Sequence, residues 1–109
     1  MTENVDILSL VRAAAAQRIL FLPHALSQMS RLDRMISTAE VRSVINQGEV
    51  IEDYLEDARG HSCLLLGRGE ENRPIHVVCA PKEDFLAIVT TYLPDPREWS
   101  TDFRARNVE

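Results

Sequence analysis

The chain has 109 residues, of which 45% are hydrophobic and 27% charged, and its formal net charge is −5. This length and composition predict one soluble domain over residues 1–109. The net charge excludes a surface that binds nucleic acid over its whole extent, because such binding needs Lys and Arg against phosphate. No apolar run reaches the length of a membrane span, and the sequence predicts a cytoplasmic protein with reduced thiols.

The first predicted element is an N-terminal helix within residues 1–18. Its alanine run favours helix, and its apolar side chains recur at steps of three and four residues: Val5, Leu8, Val11 and Ala15. Residues 18–22 are apolar and end at Pro23, which predicts a short strand or an extended entry. Residues 24–32 return to helical spacing.

The next helix carries the clearest local signals in the chain. Ser37 followed three residues later by Glu40 forms a capping-box pattern at its start. The apolar stripe then consists of Val41, Val44 and Ile45. Gly48 is a typical residue at which a helix ends.

Four runs with strand character follow this helix. They cover residues 49–54, 62–68, 73–80 and 84–92. The short polar connectors between them are typical of antiparallel neighbours. We therefore predict an α+β fold in which N-terminal helices pack on one face of a roughly four-stranded antiparallel sheet. After the sheet, "STDFRARN" predicts a short terminal helix or a tail.

The lengths of the connectors predict which residues face each other across the strands. The expected pairs are Cys63 with Cys79, Leu66 with His76, and Arg73 with Tyr92. Arg73 and Tyr92 would then lie together at one rim of the sheet, with His76 one step inside. A slip of one residue in either hairpin would change these pairs.

Three histidines are the main candidates for chemistry. His24 follows a proline at the start of a helix, where it acts either as a general base or as a partner of the backbone. His76 lies in an apolar strand, which favours a buried neutral ring over one that acts on a substrate. His61 lies in a loop beside a glycine and is expected to be solvated.

No metal site and no cofactor are predicted. The spacing of the histidines gives no sign that they converge. The two cysteines, Cys63 and Cys79, lie in separate apolar runs without further ligands, as expected of core thiols.

The C-terminal region combines arginines with aromatic residues. Arg97, Arg104 and Arg106 lie close in sequence to Trp99 and Phe103. This composition is typical of a basic, aromatic patch that binds RNA or an acidic partner. A tail that docks on the rest of the molecule explains it equally well.

Several motifs carry a resemblance to a known family. They are "PHALSQM", "ISTAEVRSVINQGEVIEDY", "SCLLLGR", "RPIHVV" and "VTTYLPDPREW". Over residues 19–106 the chain resembles the bacterial domain-of-unknown-function family 4258. That family is similar in length and layout to the RelE-like and BrnT-like toxins, small ribonucleases of toxin–antitoxin pairs, and its genes often lie beside small zinc-finger, antitoxin-like proteins.

The resemblance implies functional roles for particular residues. The family pattern places its recurring residues at His24, Arg73, His76, Tyr92 and Trp99. Arg34, which directly precedes Met35 and Ile36, is the equivalent of the family's second arginine. There are three departures. Gln28 stands where the family commonly has arginine, Asn72 stands where it has glycine, and the segment from Met29 to Ile36 is two residues longer than usual.

The leading hypothesis is a toxin that cleaves RNA by acid–base chemistry without a metal ion. His24 or His76 would accept a proton and Tyr92 would orient or donate. The phosphate charge would be stabilised by Arg34, Arg73 and Arg104, with Trp99 among the residues that bind the substrate. Two other hypotheses remain open: a non-catalytic module that binds an unknown protein partner, and a metal-dependent hydrolase.

Overall fold

The structure, a computed structural model, describes residues 6–108. The helices are α1 (Ile7–Gln17), α2 (Pro23–Met29) and α3 (Thr38–Gln47), and a 3-10 helix covers Glu70–Asn72. The strands are β1 (Ile19–Phe21), β2 (Glu49–Tyr54), β3 (Ser62–Arg68), β4 (Pro74–Pro81) and β5 (Leu86–Tyr92). Within this part of the chain no helix is long and apolar enough to cross a membrane. Val5 of the predicted first helix lies outside the described residues.

The five strands form one mixed sheet in the order β1-β5-β4-β3-β2. The last four strands are antiparallel neighbours, as predicted. The prediction of a four-stranded, purely antiparallel sheet is wrong in one respect. β1 adds a fifth strand that runs parallel to β5, with Ile19 opposite Leu86. Most of the chain separates these two strands, so no local pattern reveals that they pair.

α3 begins and ends where its local signals predict. The Ser37 hydroxyl accepts from the Glu40 amide at 3.1 Å, and the Glu40 carboxylate accepts from the Ser37 amide at 3.0 Å. Gly48 follows the last helical residue, with a φ of −81°. Glycine is required there for space, because an added β-carbon would collide with the carbonyl oxygens of Val44 and Leu66.

The main core lies between the helices and one face of the sheet, as predicted for this α+β fold. The helices contribute Ile7, Val11, Ala14, Ala25, Met29, Val41, Val44 and Ile45. The strands contribute Cys63, Leu65, Ile75, Val77, Cys79, Leu86 and Ile88. Side chains alternate along a strand, so Leu64, Leu66 and His76 point to the opposite face, where they are also buried.

The predicted register is correct for the first hairpin and wrong for the second. Cys63 lies opposite Cys79 and Leu66 opposite His76, as expected. Tyr92, however, lies opposite His76 and not beside Arg73. The turn closes with the Lys82 amide donating to the Phe85 carbonyl, and a bulge follows in the ladder. Together they move β5 away from the predicted alignment.

The C-terminal segment docks on the sheet face opposite the helices. Up to residue 108 it contains no helix, and its Trp99 forms an isolated antiparallel bridge with Arg106. Arg106 donates to the Glu52 carboxylate at 2.8 and 3.1 Å. The carbonyl of Phe103 accepts a hydrogen bond from His76 at 3.0 Å. Of the alternatives that the sequence left open, these contacts match the docked tail.

Candidate functional site

An open, polar cleft lies at the rim of the sheet, beside α2 and the end of β5. β1 pairs with β5 only as far as Ile88, so the rest of that edge has no strand beside it. The cleft has a volume of about 480 Å³. We call it the rim cleft; it is lined by His24, Gln28, Arg34, Thr90, Tyr92, Leu93, Asp95, Glu98 and Trp99.

His24 enters the rim cleft from the first turn of α2. Pro23 begins this helix, a position where its fixed φ is favourable and its missing N–H costs nothing. His24 follows directly, and its side chain is exposed. Within residues 6–108 its imidazole takes part in no hydrogen bond, so the ring is free to contact a ligand in the cleft.

Arg34 lies in the loop between α2 and α3 and is oriented by Gln28. Its Nη1 donates to the Gln28 Oε1 at 3.1 Å, and its Nε lies 3.8 Å from Asp33. The side chain of Arg34 is only 16% exposed. Gln28 stands where the family commonly has arginine. The cleft therefore has an amide in place of a second guanidinium, and this amide orients Arg34.

Tyr92 closes the floor of the rim cleft and is bonded to His76 beneath it. The His76 Nε2 lies 3.0 Å from the Phe103 carbonyl, which can only accept, so Nε2 carries the hydrogen. The bare Nδ1 of a neutral ring then accepts from the Tyr92 hydroxyl at 3.3 Å. The hydrogen of Tyr92 points inward, and its oxygen keeps lone pairs for a ligand.

Burial maintains both partners of this pair in their neutral forms. It lowers the pKa of His76, an effect that the Phe103 carbonyl and Glu52 partly oppose. Burial also raises the pKa of Tyr92. The His76 ring packs edge-on against the rings of Tyr92 and Trp99, with centroids 5.3 and 4.4 Å away. His76 is fully buried, so it supports the cleft from below and does not line it.

Trp99 belongs to the rim cleft but exposes only 4% of its surface. The guanidinium of Arg106 covers its ring at 4.8 Å, and His76 packs against it. Trp99 therefore forms a wall of the cleft and offers little area on which an aromatic ring of a ligand could stack.

Arg73 does not reach the rim cleft. It donates from Nε and Nη2 to the two carboxylate oxygens of Glu40, at 2.9 and 2.8 Å. Its remaining contacts are to the carbonyls of Arg34 and Met35, at 2.8 and 3.1 Å. These bonds employ most of the guanidinium donors, and the structure does not bring Arg73 together with His24 and Tyr92 in the cleft.

Glu40 is the buried centre of this network. It also accepts from the amides of Ser37 and Glu70, and it is 4% exposed. The hydrogen bond from Arg73 lowers the pKa of Glu40 to about 2. Asn72, which precedes Arg73, has a φ of +61°, a conformation that asparagine tolerates better than most residues. The departure from glycine at this position thus has a physical explanation.

Arg104 also lies apart from the rim cleft. Its guanidinium is exposed and pairs with Glu49 and with Asp102. It lines a separate hollow beside the end of α3, together with Gln47, Gly48 and Arg68. Of the seven predicted site residues, four line the rim cleft, namely His24, Arg34, Tyr92 and Trp99.

Two carboxylates of the rim cleft were not predicted from the sequence. Asp95 and Glu98 follow β5 in the segment "LPDPREW", which turns back beside Tyr92. Asp95 is engaged by Arg97 at 2.9 Å, and this bond lowers the pKa of Asp95. The available sequence signal was the Pro-Asp-Pro turn directly after Tyr92, which returns the chain to the same rim.

Comparisons with known proteins identify one family. A family model described as Domain of unknown function (DUF4258) matches residues 21–93, about two thirds of the chain. This region includes His24, Gln28, Arg34 and Tyr92, whereas Glu98 lies beyond it. No curated protein and no solved structure matches the chain, so the expected likeness to RelE-like and BrnT-like folds is not confirmed. Between residues 6 and 108, no group of three or more His, Cys, Asp or Glu side chains could hold a metal ion.

Proposed function

The chain belongs to the DUF4258 family, and from this premise we propose that it cleaves RNA in the rim cleft by acid–base chemistry that needs no metal ion. The observation that carries the proposal is the convergence of His24, Arg34 and Tyr92 on one open cleft. They supply a group that exchanges protons, a fixed positive charge and an oriented hydroxyl, which are the components that transfer at a phosphodiester requires.

The reaction is attack by a ribose 2′-hydroxyl on the adjacent phosphorus. One group must accept the proton of the 2′-hydroxyl, and another must donate a proton to the departing 5′-oxygen. His24 is the exposed imidazole that moves one of these protons. Arg34, held by Gln28, stabilises the negative charge that develops on the phosphate oxygens.

Tyr92 orients the substrate in this scheme. Its own hydrogen is directed at His76, so its oxygen accepts a hydrogen bond from an N–H donor of a substrate base. The role of His76 is to fix that direction. It does not exchange a proton with the substrate, from which it is separated by Tyr92.

The proposal extends to the biological role that the resemblance implies. The protein would be the toxin of a toxin–antitoxin pair in the cytoplasm, neutralised by a small zinc-finger protein. The sequence motifs support this extension through the family, as an analogy at the level of fold. Its direct sign would be arrested growth on expression that a neighbouring gene relieves.

The activity is tested with purified protein and a short RNA in the presence of EDTA. We expect cleavage that leaves 2′,3′-cyclic phosphate ends, and no cleavage of the same strand with 2′-deoxy sugars. His24→Ala should abolish cleavage. His61→Ala is the matched control, since His61, in the β2–β3 loop, pairs with Asp53 of β2 and lies outside the cleft. Undiminished activity in His24→Ala would contradict the proposal.

One observation favours a second candidate, a module that binds a protein partner. An apolar groove lies beside the rim cleft, lined in part by Leu26, Met29, Met35 and Ile36. Leu26 is 47% exposed and Met35 59%. Met35 has a φ of +48°, which is uncommon for a large side chain. Harmless expression at high level, with no RNA cleavage, would favour this candidate over the toxin.

A further inference from the structure

Glu98 is held in the wall of the rim cleft by its backbone. Its amide donates to the Asp95 carbonyl at 2.9 Å, and its carbonyl accepts from the Asn107 amide at 2.9 Å. The next residue is the buried Trp99. The chain is therefore fixed on both sides of Glu98, while its side chain remains exposed.

The two carboxylates of the rim cleft differ in what they contact. Asp95 accepts from the Arg97 amide at 2.8 Å and from the Arg97 guanidinium at 3.2 and 2.9 Å. In the region 6–108 the carboxylate of Glu98 takes part in no hydrogen bond and no ion pair. Asp95 is thus occupied, whereas Glu98, which lines the same cleft, has a carboxylate without such contacts.

Tyr92 cannot act as the second proton-transfer group that RNA cleavage needs. Its hydrogen is bonded to His76, and burial raises the pKa of its hydroxyl. The negative charge of Glu98, which lines the same cleft, adds to this increase in pKa. His24 and Glu98 are therefore the titratable side chains of the cleft that form no hydrogen bond or ion pair within residues 6–108.

We infer that Glu98 is the second acid–base residue of the site, an inference that rests on the proposed RNA cleavage. The Glu98 carboxylate removes the proton of the 2′-hydroxyl as the bond between the 2′-oxygen and phosphorus forms. The bond between phosphorus and the 5′-oxygen breaks, and that oxygen takes a proton from the His24 imidazolium. The products are a 2′,3′-cyclic phosphate and a free 5′-hydroxyl. Glu98 then returns its proton to solvent and His24 regains one.

The negative charge of Glu98 opposes the binding of a phosphodiester, while Arg34 favours it. Removal of this charge should therefore have opposite effects on binding and on catalysis. The chemical step loses its base, but the affinity for RNA rises because a like charge has gone. A residue with a merely structural role would not produce this combination.

The test compares Glu98→Gln with the wild-type protein and with Glu83→Gln. Glu83 is an exposed carboxylate between β4 and β5, so its substitution removes the same charge outside the cleft. We expect kcat to fall about 100-fold or more in Glu98→Gln. Its Kd for a 2′-deoxy strand should become lower, because a like charge has gone. The acidic limb of the pH–rate profile should disappear, and Glu98→Asp should restore part of kcat together with that limb.

The outcomes separate this inference from the proposal on which it rests. If wild-type protein fails to cleave RNA, the proposed function is wrong and the role of Glu98 falls with it. If wild type cleaves RNA but Glu98→Gln keeps kcat within about threefold and retains the acidic limb, only the role of Glu98 is wrong. A loss of kcat of equal size in Glu83→Gln would likewise overturn it, because bulk charge would then explain the effect.

Discussion

Arg73 and Glu40, 33 residues apart in the chain, form a two-pronged ion pair at 2.9 and 2.8 Å. The pair joins the strand that begins after Arg73 to the first turn of α3. Through the carbonyls of Arg34 and Met35 it also holds the loop that carries Arg34 into the rim cleft. Arg73 therefore acts on the site through the position of Arg34.

Substitution of Glu40 by Gln should lower the free energy of unfolding by about 2 to 3 kcal/mol, between the values of surface and fully buried ion pairs. The reason is that the Arg73 guanidinium loses its charged partner. Urea denaturation at neutral pH measures the difference. Glu70→Gln is a suitable control, because that side chain is exposed and only its amide contacts Glu40.

The same pair makes stability depend on acidity. The pKa of Glu40 is about 2 in the folded protein, below its ordinary value of 4.5. The folded state thus binds the proton less tightly, and the contribution is present above pH 4.5 and lost as the pH falls toward 2. The stability difference between wild type and Glu40→Gln should shrink over this window. A difference independent of pH would show that Glu40 does not carry the effect.

Because His76 is buried, we expect the free energy of unfolding to depend on pH in a second, higher range. Burial lowers its pKa in the folded protein, whereas the unfolded chain takes up a proton near the ordinary value of about 6.5. Its contribution is present above that value and declines as the pH falls below it. His76→Gln should remove this dependence and cost about 1 to 3 kcal/mol of stability through its broken hydrogen bonds. Thermal unfolding of wild type and His76→Gln between pH 8 and 5 measures how the stability of each protein changes with pH.

Two arginines should differ sharply in their effect on RNA cleavage. Arg34→Ala should lower kcat/KM by about 100-fold or more, because the rim cleft loses its fixed cation. Arg104→Ala should change it by less than about twofold, since that exposed side chain lies outside the cleft. Both variants are compared at equal folded fraction, checked by circular dichroism. Equal losses in the two would move the substrate site away from the rim cleft.

The cysteines should be inert in the native protein. Cys63 and Cys79 face each other across β3 and β4 and are fully buried. The neighbouring Cys63 thiol and burial raise the pKa of Cys79, which disfavours its reactive thiolate. A thiol reagent should label neither residue in native protein and both in denaturant. Rapid labelling of native protein would mean that the sheet opens at this position.

The sequence by itself determined the elements whose causes are local. The limits of α3 follow from a capping box and a glycine, and four strands follow from apolar runs between short connectors. The register of the first hairpin also followed, because its turn is short. Each of these features depends on residues close together in the chain, and such residues can be read without knowledge of the rest.

Only the tertiary structure decided what the candidate residues contact. The parallel pairing of β1 with β5 and the bulge after the second hairpin depend on distant segments. The bulge contributes to the alignment in which His76, and not Arg73, lies opposite Tyr92. The pairing with β1 ends at Ile88, so the rest of the β5 edge has no strand beside it. The partner of Arg73 is Glu40, and the unoccupied carboxylate of the rim cleft is Glu98. The motif "RPIHVV" at the start of β4 therefore supplies Arg73, which holds the loop that carries Arg34, and His76, which fixes the direction of the Tyr92 hydroxyl. Long-range packing decides this, because it determines which polar groups meet.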